Sequence, residues 1–353
     1  VMIHGGDALA FAREKKIDVG EVLDFSANIN PYGIHPTIVR ALQEEITHLV
    51  HYPDVRYQRL REDIAKKVKV QPQEVFLANG AVAMLYHCIQ AMGRPVHALL
   101  PVPSFLEYER AVQAVEGSKI SYYEMDGDFQ VKEDILTQID HNIDVFILCN
   151  PNNPTGQVLS NEELGRILSR CEELSVYAIV DEAYADFIPR EESAVMLGPK
   201  YNHMISVRTF SKGFGLAGAR AGYIITNKEL VKYIKKVSNP YMMNEMSRAI
   251  TAAILNYDVQ PVEHGTDFTI IKGALRDACG DKLIMAETDD RVPICLLRHI
   301  DENVDLQRLL INENILTCSG SEFEPLGKNF VRLRVPKISE AGKLIQAIKK
   351  VTL

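Results

Sequence analysis

The sequence lacks any long apolar stretch, and nothing in it approaches the roughly 20 consecutive apolar residues that a membrane-spanning helix needs. It also lacks a dense run of Lys and Arg, and its formal net charge is -8. Nucleic acid and anionic membranes are therefore disfavoured as partners, because both require a concentrated basic surface. The chain opens without a charged segment followed by an apolar one, so we expect a cytoplasmic protein. A few well-placed cations could still hold a small anion.

Cysteine pairs and low-complexity tracts are missing as well. The six cysteines, at positions 88, 149, 171, 279, 295 and 318, form no CxxC pair, and no histidine cluster has metal-ligand spacing. We therefore expect free buried thiols and no metal site. A length of 353 residues with 46% hydrophobic residues is typical of a globular protein of two domains.

Apolar runs that alternate with helical patterns dominate the chain from about Glu74 to Ile225. The runs are VFLA, HALLPV, ISYYEM, VFILC, YAIV, MISVRTF and ARAGYII. Such alternation predicts an α/β fold with a doubly wound, mostly parallel sheet, and sheets of this kind bind ligands at the carboxyl ends of their strands.

Longer helical patterns follow this region, at 229–236, 244–257 and 260–279. After them come strand candidates at 292–298 and 329–335, separated by a helix at 303–312, and a final helix at about 338–351. We predict three parts: an N-terminal arm (1–35) that packs on the smaller domain, a large ligand-binding domain (36–240) and a small α+β domain (241–353).

The segment RTFSKGFGLAGARAGY, at 208–223, carries the most chemical information. Lys212 follows a predicted strand, stands beside the hydroxyls of Thr209 and Ser211, and precedes Arg220 in a glycine-rich turn that lets backbone approach a ligand. Taken alone, the segment is equally consistent with a surface lysine in a flexible turn.

Two further segments end predicted strands of the same sheet. NPNNPTG, which contains Asn153, follows VFILC, and DEAY, which contains Asp181 and Tyr184, follows YAIV. Separately, the first could be a proline-stiffened loop and Asp181 a helix cap. Their joint occurrence with the lysine segment, in this order, favours a shared ligand site.

With these three segments the chain resembles the fold-type I, aspartate-aminotransferase-like family of pyridoxal-phosphate (PLP) enzymes, in its histidinol-phosphate aminotransferase branch, over nearly its whole length. The resemblance implies a seven-stranded sheet and PLP held by Lys212 as a Schiff base. It also implies that Asp181 pairs with the pyridinium nitrogen and that Asn153 and Tyr184 bond the phenolic oxygen. A carboxylate beside the ring nitrogen keeps it protonated, so the ring can accept electrons.

The cofactor phosphate needs amides at a helix start, hydroxyls and a cation. A strand ends and a helix begins at Asn79, which suits an anion seat. The resemblance implies these contacts: backbone of Gly80, Ala81 and Val82, and side chains of Thr209, Ser211 and Arg220. Relatives usually carry an acidic or hydroxyl residue just after this glycine, whereas Val82 and Ala83 stand here.

Two aromatic residues are further candidates. Phe105 matches the family's aromatic ring that stacks on the cofactor, although a lone Phe is more often core. Tyr52, in HYPD, resembles a tyrosine that reaches the phosphate of the neighbouring subunit's cofactor, which implies a homodimer with shared sites; a plain turn residue is the alternative. Asn244 either lies near the site or caps a helix.

FVRLRV, near the C-terminus, reads as a strand with Arg332 and Arg334 on one face. The family places an arginine at the position of Arg332 to hold an anionic group of the substrate, for which guanidinium suits carboxylate or phosphate. A solvated strand edge is the alternative.

The opening of the chain discriminates between reactions. HGGD, at 4–7, and LDFSANINPYG, at 23–33, look like the opening of L-threonine-O-3-phosphate decarboxylases, which supply aminopropanol phosphate for cobalamin. Histidinol-phosphate aminotransferases share the Asn-x-Asn-Pro part but typically lack the His-Gly-Gly start. This likeness implies a small phosphorylated amino acid as substrate and adds His4 and Asn30 to Arg332 as substrate-side candidates. Aminotransfer from histidinol phosphate or an aromatic amino acid remains open, as does a PLP-binding regulatory protein without turnover.

Overall fold

A computed structural model describes residues 8–261 and 265–352 of the chain. Its helices are α1 (Ala8–Lys15), α2 (Pro36–Glu45), α3 (Gln58–Val68), α4 (Gly80–Ala91), α5 (Glu107–Gln113), α6 (Ile135–Gln138), α7 (Asn161–Leu174), α8 (Lys228–Val237), α9 (Glu245–Asn256), α10 (Asp267–Ala278), α11 (Leu306–Ile311) and α12 (Ile338–Val351). Its strands are β1 (Leu23–Asp24), β2 (Val75–Ala78), β3 (His97–Val102), β4 (Lys119–Glu124), β5 (Val145–Cys149), β6 (Tyr177–Asp181), β7 (Met204–Thr209), β8 (Gly222–Ile225), β9 (Leu283–Met285), β10 (Ile294–His299), β11 (Ile315–Leu316), β12 (Cys318–Ser319) and β13 (Phe330–Arg334).

The larger half of the molecule is built on a seven-stranded sheet with the order β2-β8-β7-β6-β5-β3-β4. The strands from β7 to β4 pair in parallel, and β8 runs antiparallel to both of its neighbours. β5 is buried along its whole length, as expected of a parallel strand covered on both faces, which is why VFILC reads as a continuous apolar run. The predicted α/β fold is confirmed.

Helix α7 shows how local sequence fixes an element next to the site. Ser160 and Glu163 form a capping box, in which Glu163 N donates to Ser160 Oγ at 3.3 Å and Ser160 N donates to Glu163 Oε2 at 2.8 Å. Leu164, Leu168 and Cys171 form its buried face, at helical spacing. The capped start holds the loop that follows β5, which contains Asn153.

The smaller half contains a four-stranded antiparallel sheet with the order β12-β13-β10-β9. Helices α10 and α12 pack on it, and their buried side chains share one core with Phe25 of the N-terminal arm. β1 of the arm pairs in parallel with β11 of this half.

Helix α9 packs with the larger half. Ile250 and Ile254 of α9, and Val259 after it, lie in one core with Ile38 of α2 and Ile64 of α3. We therefore propose that the boundary between the halves falls after Val259, nearer to α10 than the division at residue 240.

The sequence predicts neither a membrane-spanning helix nor a metal site, and the described residues can be searched for both. Within them, no helix has the length and apolar character needed to cross a membrane. Nor do residues 8–261 and 265–352 contain a group of three or more His, Cys, Asp or Glu arranged to hold a metal ion. All six cysteines are buried.

Candidate active site

A cavity of about 390 Å³ lies where the carboxyl ends of the large sheet face the smaller half. This volume lies in the range of small-molecule and cofactor sites. The sequence-predicted residues that line it are Ala81, Val82, Phe105, Asn153, Asp181, Tyr184, Thr209, Ser211, Lys212, Arg220 and Arg332. A smaller cavity of about 160 Å³, beneath β7, contains none of the predicted residues.

Lys212 follows β7 in a turn held by its backbone, since Asn30 N donates to Lys212 O at 2.9 Å. Its Nζ lies 5.7 Å from the centroid of the Tyr184 ring. Burial, and then the positive charge of Arg332, lower the pKa of Lys212 to about 8. A substantial fraction of the amine is therefore neutral, and nucleophilic, close to physiological pH.

Asp181 ends β6 at the floor of the cavity and is 3% exposed. Burial raises its pKa to about 6, against the opposing effects of a hydrogen bond from Tyr108 Oη to Oδ2 (2.9 Å) and one from Ala183 N to Oδ1 (3.0 Å). The charge of Lys212 also lowers it. A buried carboxylate that ionises near pH 6 needs a cation, and a protonated ring nitrogen would supply one.

The start of α4 forms an anion seat beside Arg220. Asn79, the N-cap, makes no side-chain cap bond, and its Oδ1 has no partner among the described residues. Gly80 has φ +81°, and a Cβ there would lie 2.6 Å from Arg220 Nη2, so only glycine lets the guanidinium sit over the helix start. Thr209 Oγ1 and Ser211 Oγ lie 2.8 Å apart. Helix amides, hydroxyls and a cation thus converge, as a phosphate requires.

Arg332 occupies the opposite side of the cavity and is 7% exposed. Its Nη1 donates to Asn153 Oδ1 at 2.8 Å, and its Nη2 donates to the Ser26 carbonyl and to Cys318 Sγ, the latter at 2.7 Å. Its Cζ lies 5.3 Å from the centroid of the Phe323 ring. In the described ranges its Nε has no partner, and the hydrogen-bond partners of its two Nη atoms are all neutral. A buried guanidinium with only neutral partners favours an anionic ligand.

Tyr184 and Phe105 provide the aromatic surfaces of the cavity. Burial raises the pKa of Tyr184, whose Oη accepts a hydrogen bond from Asn28 Nδ2 at 3.4 Å. Phe105 packs edge to face against Tyr108, with ring centroids 5.7 Å apart. These contacts fix the orientations of both rings.

Some predicted residues lie elsewhere. Asn30 does not line the cavity; its Nδ2 donates to Gly213 O at 2.9 Å, next to Lys212. Tyr52 is 83% exposed and stacks on Tyr241, with centroids 4.8 Å apart. His4 lies outside the described residues. Asn244 caps α9 by accepting from Ser247 N at 2.8 Å.

Sequence reasoning missed several residues that line the cavity, among them Asn28, Tyr108 and Cys318. A signal existed for two of them. Asn28 belongs to the SANINP motif, and Tyr108 lies three residues after Phe105, close to one turn further along the chain. Nothing in the sequence around Cys318 marks it as a neighbour of Arg332.

The family profile described as aminotransferase class I and II matches residues 20–348. The chain belongs to this family. Relatives that are similar in sequence over nearly the whole chain include two activities. The threonine-phosphate decarboxylase of Salmonella typhimurium (strain LT2) is 28% identical, over 99% of this chain and 96% of that protein. The histidinol-phosphate aminotransferase of Methanocaldococcus jannaschii is 24% identical, over 99% of this chain and 94% of that protein.

Solved structures that resemble this chain include both of these activities. The histidinol-phosphate aminotransferase of Clostridium acetobutylicum has a TM-score of 0.85 at 29% identity, covering 94% of this chain and 99% of that chain. The L-threonine-O-3-phosphate decarboxylase of Porphyromonas gingivalis has a TM-score of 0.82 at 25% identity, with the same coverage.

The cofactor of this family is pyridoxal 5'-phosphate. The cavity fits it on three independent observations. It holds a buried carboxylate, Asp181, for the ring nitrogen; a lysine of lowered pKa, Lys212, for the aldehyde; and a seat of helix amides with Arg220 for the phosphate. We assign these residues those roles as proposals.

Proposed function

We propose that the protein catalyses the PLP-dependent decarboxylation of L-threonine O-3-phosphate to (R)-1-aminopropan-2-yl phosphate and CO2, a step of cobalamin biosynthesis. The observation that carries this proposal is the place of the segment 23–33, one of the two segments on which the likeness to decarboxylases depends; its Asn-x-Asn-Pro part is shared with histidinol-phosphate aminotransferases. Its residues Ser26, Ala27 and Asn28 line the cavity next to Arg332. The match to a threonine-phosphate decarboxylase over 99% of the chain supports it.

When bound, PLP supplies an electron sink for the charge that develops at the substrate Cα. Asp181 holds a negative charge at the floor, where it keeps the ring nitrogen protonated. Lys212, with a pKa of about 8, can bind the cofactor and later give a proton to Cα. In the overall balance the bond between Cα and the carboxylate breaks, CO2 leaves, and a proton takes its place on Cα.

Substrate charge supports a role for Arg332. Phosphothreonine carries a carboxylate and a phosphate, and desolvating both requires fixed cations. The cations that line the cavity within the described part of the chain are Lys212, Arg220 and Arg332. Because Lys212 and Arg220 serve the cofactor in this proposal, Arg332 is the one left to bind an anionic group of the substrate. Its bonds to Asn153, Ser26 and Cys318 fix its direction, and direction decides which bond at Cα is aligned to break.

One assay tests the proposal against aminotransfer. Purified, PLP-loaded protein is given phosphothreonine or phosphoserine without 2-oxoglutarate, and released CO2 is measured. Histidinol phosphate with 2-oxoglutarate is the parallel reaction, followed by glutamate formation. CO2 release supports decarboxylation, and glutamate formation without CO2 release would replace it with aminotransfer.

Aminotransfer from histidinol phosphate is the second candidate, because a histidinol-phosphate aminotransferase has the TM-score of 0.85 and 29% identity. A regulatory PLP-binding protein without turnover is disfavoured, since Lys212, Asp181, Asn153 and Tyr184 all line one cavity. It would gain support if neither reaction of the assay proceeds in protein that retains the cofactor.

We also propose a homodimer in which Tyr52 reaches the site of the partner subunit. An exposed apolar patch supports this proposal: Leu49, Val50 and Tyr52 are 52%, 80% and 83% exposed. Mixing Lys212→Ala subunits with Tyr52→Phe subunits should restore activity, because hybrids contain one site without either defect. Absence of restored activity in confirmed heterodimers, with Tyr52→Phe impaired alone, would contradict the shared site.

A further inference from the structure

The segment at residues 26–30, which we call the strap, contacts three parts of the site in turn. Alternate residues Ser26, Asn28 and Asn30 are buried, at 1%, 1% and 3% exposure, while Ala27 and Ile29 are partly exposed. The strap bends at Ser26 and Ala27, and Ile29 N donates to Ala27 O at 2.8 Å. Each buried residue meets a different functional side chain or its backbone.

The contacts run along the strap in order. The Ser26 carbonyl accepts from Arg332 Nη2, and Asn28 Nδ2 donates to Tyr184 Oη at 3.4 Å. Asn30 then donates twice to the turn of Lys212, from its backbone N to Lys212 O and from Nδ2 to Gly213 O, both at 2.9 Å.

The strap is anchored at both ends. Before it, Phe25 N donates to Leu316 O at 2.9 Å and Phe25 O accepts from Arg334 N at 2.7 Å, which joins it to the smaller half. After it, the Tyr32 hydroxyl donates to the Asp267 carboxylate of α10. Because the ends are fixed, Asn28 and Asn30 have little freedom to move away from their partners.

The turn that carries Lys212 depends on this support. Gly215 has φ +69°, and a Cβ there would lie 2.9 Å from Gly33 O, so the turn lies against the arm. A glycine-rich turn is conformationally free unless its backbone is held. Each of its carbonyls that accepts a hydrogen bond from a buried N–H group reduces that freedom. Two hydrogen bonds from Asn30 to consecutive carbonyls therefore fix the direction in which Lys212 leaves the backbone.

We propose that Asn30 and Asn28 are positioning residues: Asn30 orients Lys212, and Asn28 orients the Tyr184 hydroxyl. Asn28 lines the cavity, and its Oδ1 has no partner in residues 8–261 and 265–352. This oxygen can therefore also accept a hydrogen bond from a bound ligand. The inference rests on the proposed role of Lys212 but requires no particular substrate.

The test compares Asn30→Ala with a matched control, Asn329→Ala, in the PLP-loaded protein. Asn329 is also a buried asparagine, 4% exposed, whose Nδ2 donates to a backbone carbonyl, that of His299, at 3.0 Å. It does not line the cavity. Both variants lose a buried donation from Nδ2 to a backbone carbonyl, and Asn30→Ala also loses the acceptor for Tyr32 N, so both should unfold at lower temperature.

Two measurements separate positioning from stability. In Asn30→Ala the dissociation of PLP should be faster by about tenfold, and the pH midpoint at which Lys212 reacts with added PLP should shift. In Asn329→Ala both should equal those of the parent. Asn30→Asp, which keeps the acceptor for Tyr32 N but lacks the donor to Gly213 O, should behave like Asn30→Ala.

The role of Asn28 is tested by a double-mutant cycle with Tyr184→Phe. Asn28→Ala should alter the pH dependence of the PLP absorbance, and this change should vanish when the Tyr184 hydroxyl is absent. The Asn28 cycle also decides the inference if Asn30→Ala fails to fold.

Parent-like PLP dissociation and midpoint in Asn30→Ala would overturn the proposal, as would equal changes in Asn329→Ala. PLP found on a lysine other than Lys212 by peptide mapping would overturn it together with the assigned site. A chain that releases no CO2 yet shows the Asn30 effect would refute the decarboxylase function alone.

Discussion

The floor and the wall of the cavity are built in different ways. The floor comprises Asp181, Thr209, Ser211, Lys212 and Arg220, which follow neighbouring strands of one sheet. The wall comprises Ser26, Asn28, Cys318, Phe323 and Arg332, which come from the two ends of the chain. On the floor, Asp181 and Lys212 each favour the charged form of the other, although burial outweighs this effect in both, whereas Arg332 in the wall has only neutral hydrogen-bond partners. Each region therefore still requires a charged group from a ligand: the floor requires a cation beside Asp181 and a phosphate beside Arg220, and the wall requires an anion beside Arg332.

We expect the floor and the wall to bind different ligands. The floor suits PLP, which all members of the family share, and its residues lie in short motifs. The wall faces the open part of the cavity, where substrates differ between decarboxylases and aminotransferases. Changes in the floor should therefore affect cofactor and reaction together, and changes in the wall should affect substrate binding first.

The largest effect is expected for Lys212→Ala. The variant loses both the amine that binds PLP and the proposed proton donor, so CO2 release should fall by about 10²–10⁴-fold. After borohydride treatment, mass spectrometry should find no covalent PLP. Lys235→Ala, which removes a lysine of α8 that does not line the cavity, should retain it. Covalent PLP on the Lys212→Ala chain would refute the assignment.

Asp181→Asn tests the floor without the cofactor. Because burial raises the folded pKa of Asp181 to about 6, above its unfolded value of 3.8, the folded state binds the extra proton between these values. The contribution of Asp181 to stability is therefore most favourable below pH 3.8 and falls as pH rises to about 6. At pH 8 the cofactor-free Asn variant should be more stable by up to about 3 kcal/mol, a gain that disappears at low pH.

Urea unfolding of cofactor-free parent and variant at several pH values measures this difference. PLP should reverse its sign, because the ionised carboxylate then has a ring cation as partner. Equal stability of the two proteins at pH 8 would show that Asp181 is not the strained group of the floor.

The sequence was enough to predict which residues lie together on the floor, but not which residues lie together in most of the wall. Parallel strands bring their carboxyl ends to one edge, so the order of strands and motifs along the chain is enough to place NPNNPTG, DEAY and the Lys212 segment together. The neighbours of Arg332 depend on how β12, β13 and the strap pack, which is a tertiary property. Asn30 illustrates the limit: its motif is recognisable, but in the structure it contacts the backbone of the Lys212 turn and does not line the cavity.

Arg332→Lys tests the wall. Lysine keeps the charge but loses the planar set of donors that contacts Asn153, Ser26 and Cys318, so KM for phosphothreonine should rise by about 10- to 100-fold. PLP should remain bound, with an unchanged absorbance spectrum. If Arg332 also sets the angle of the breaking bond, kcat falls too and aminotransfer becomes detectable.

Arg334→Lys is the matched control for the wall. Arg334 lies two residues further along the same face of β13, but its guanidinium donates to Asp24 O and Val335 O outside the cavity. Its KM should equal that of the parent. Unchanged KM and kcat in Arg332→Lys would remove Arg332 from the site.

The smallest expected effect is electrostatic and links the wall to the floor. Burial and the charge of Arg332 lower the pKa of Lys212 to about 8, so its neutral form increases as pH rises through 8. The rate at which cofactor-free protein reacts with PLP should rise about tenfold per pH unit below that value and level off above it. Arg332→Gln removes the second-largest of the causes that lower this pKa and leaves burial and the charge of Arg220 in place. The midpoint should therefore move upward, by less than about one pH unit, because Asp181 and the surrounding solvent screen the charge.

Stopped-flow absorbance between pH 6 and about 10 measures both midpoints. A downward shift, or none, would show that the wall acts on Lys212 only through packing, and the two regions would then be electrostatically independent.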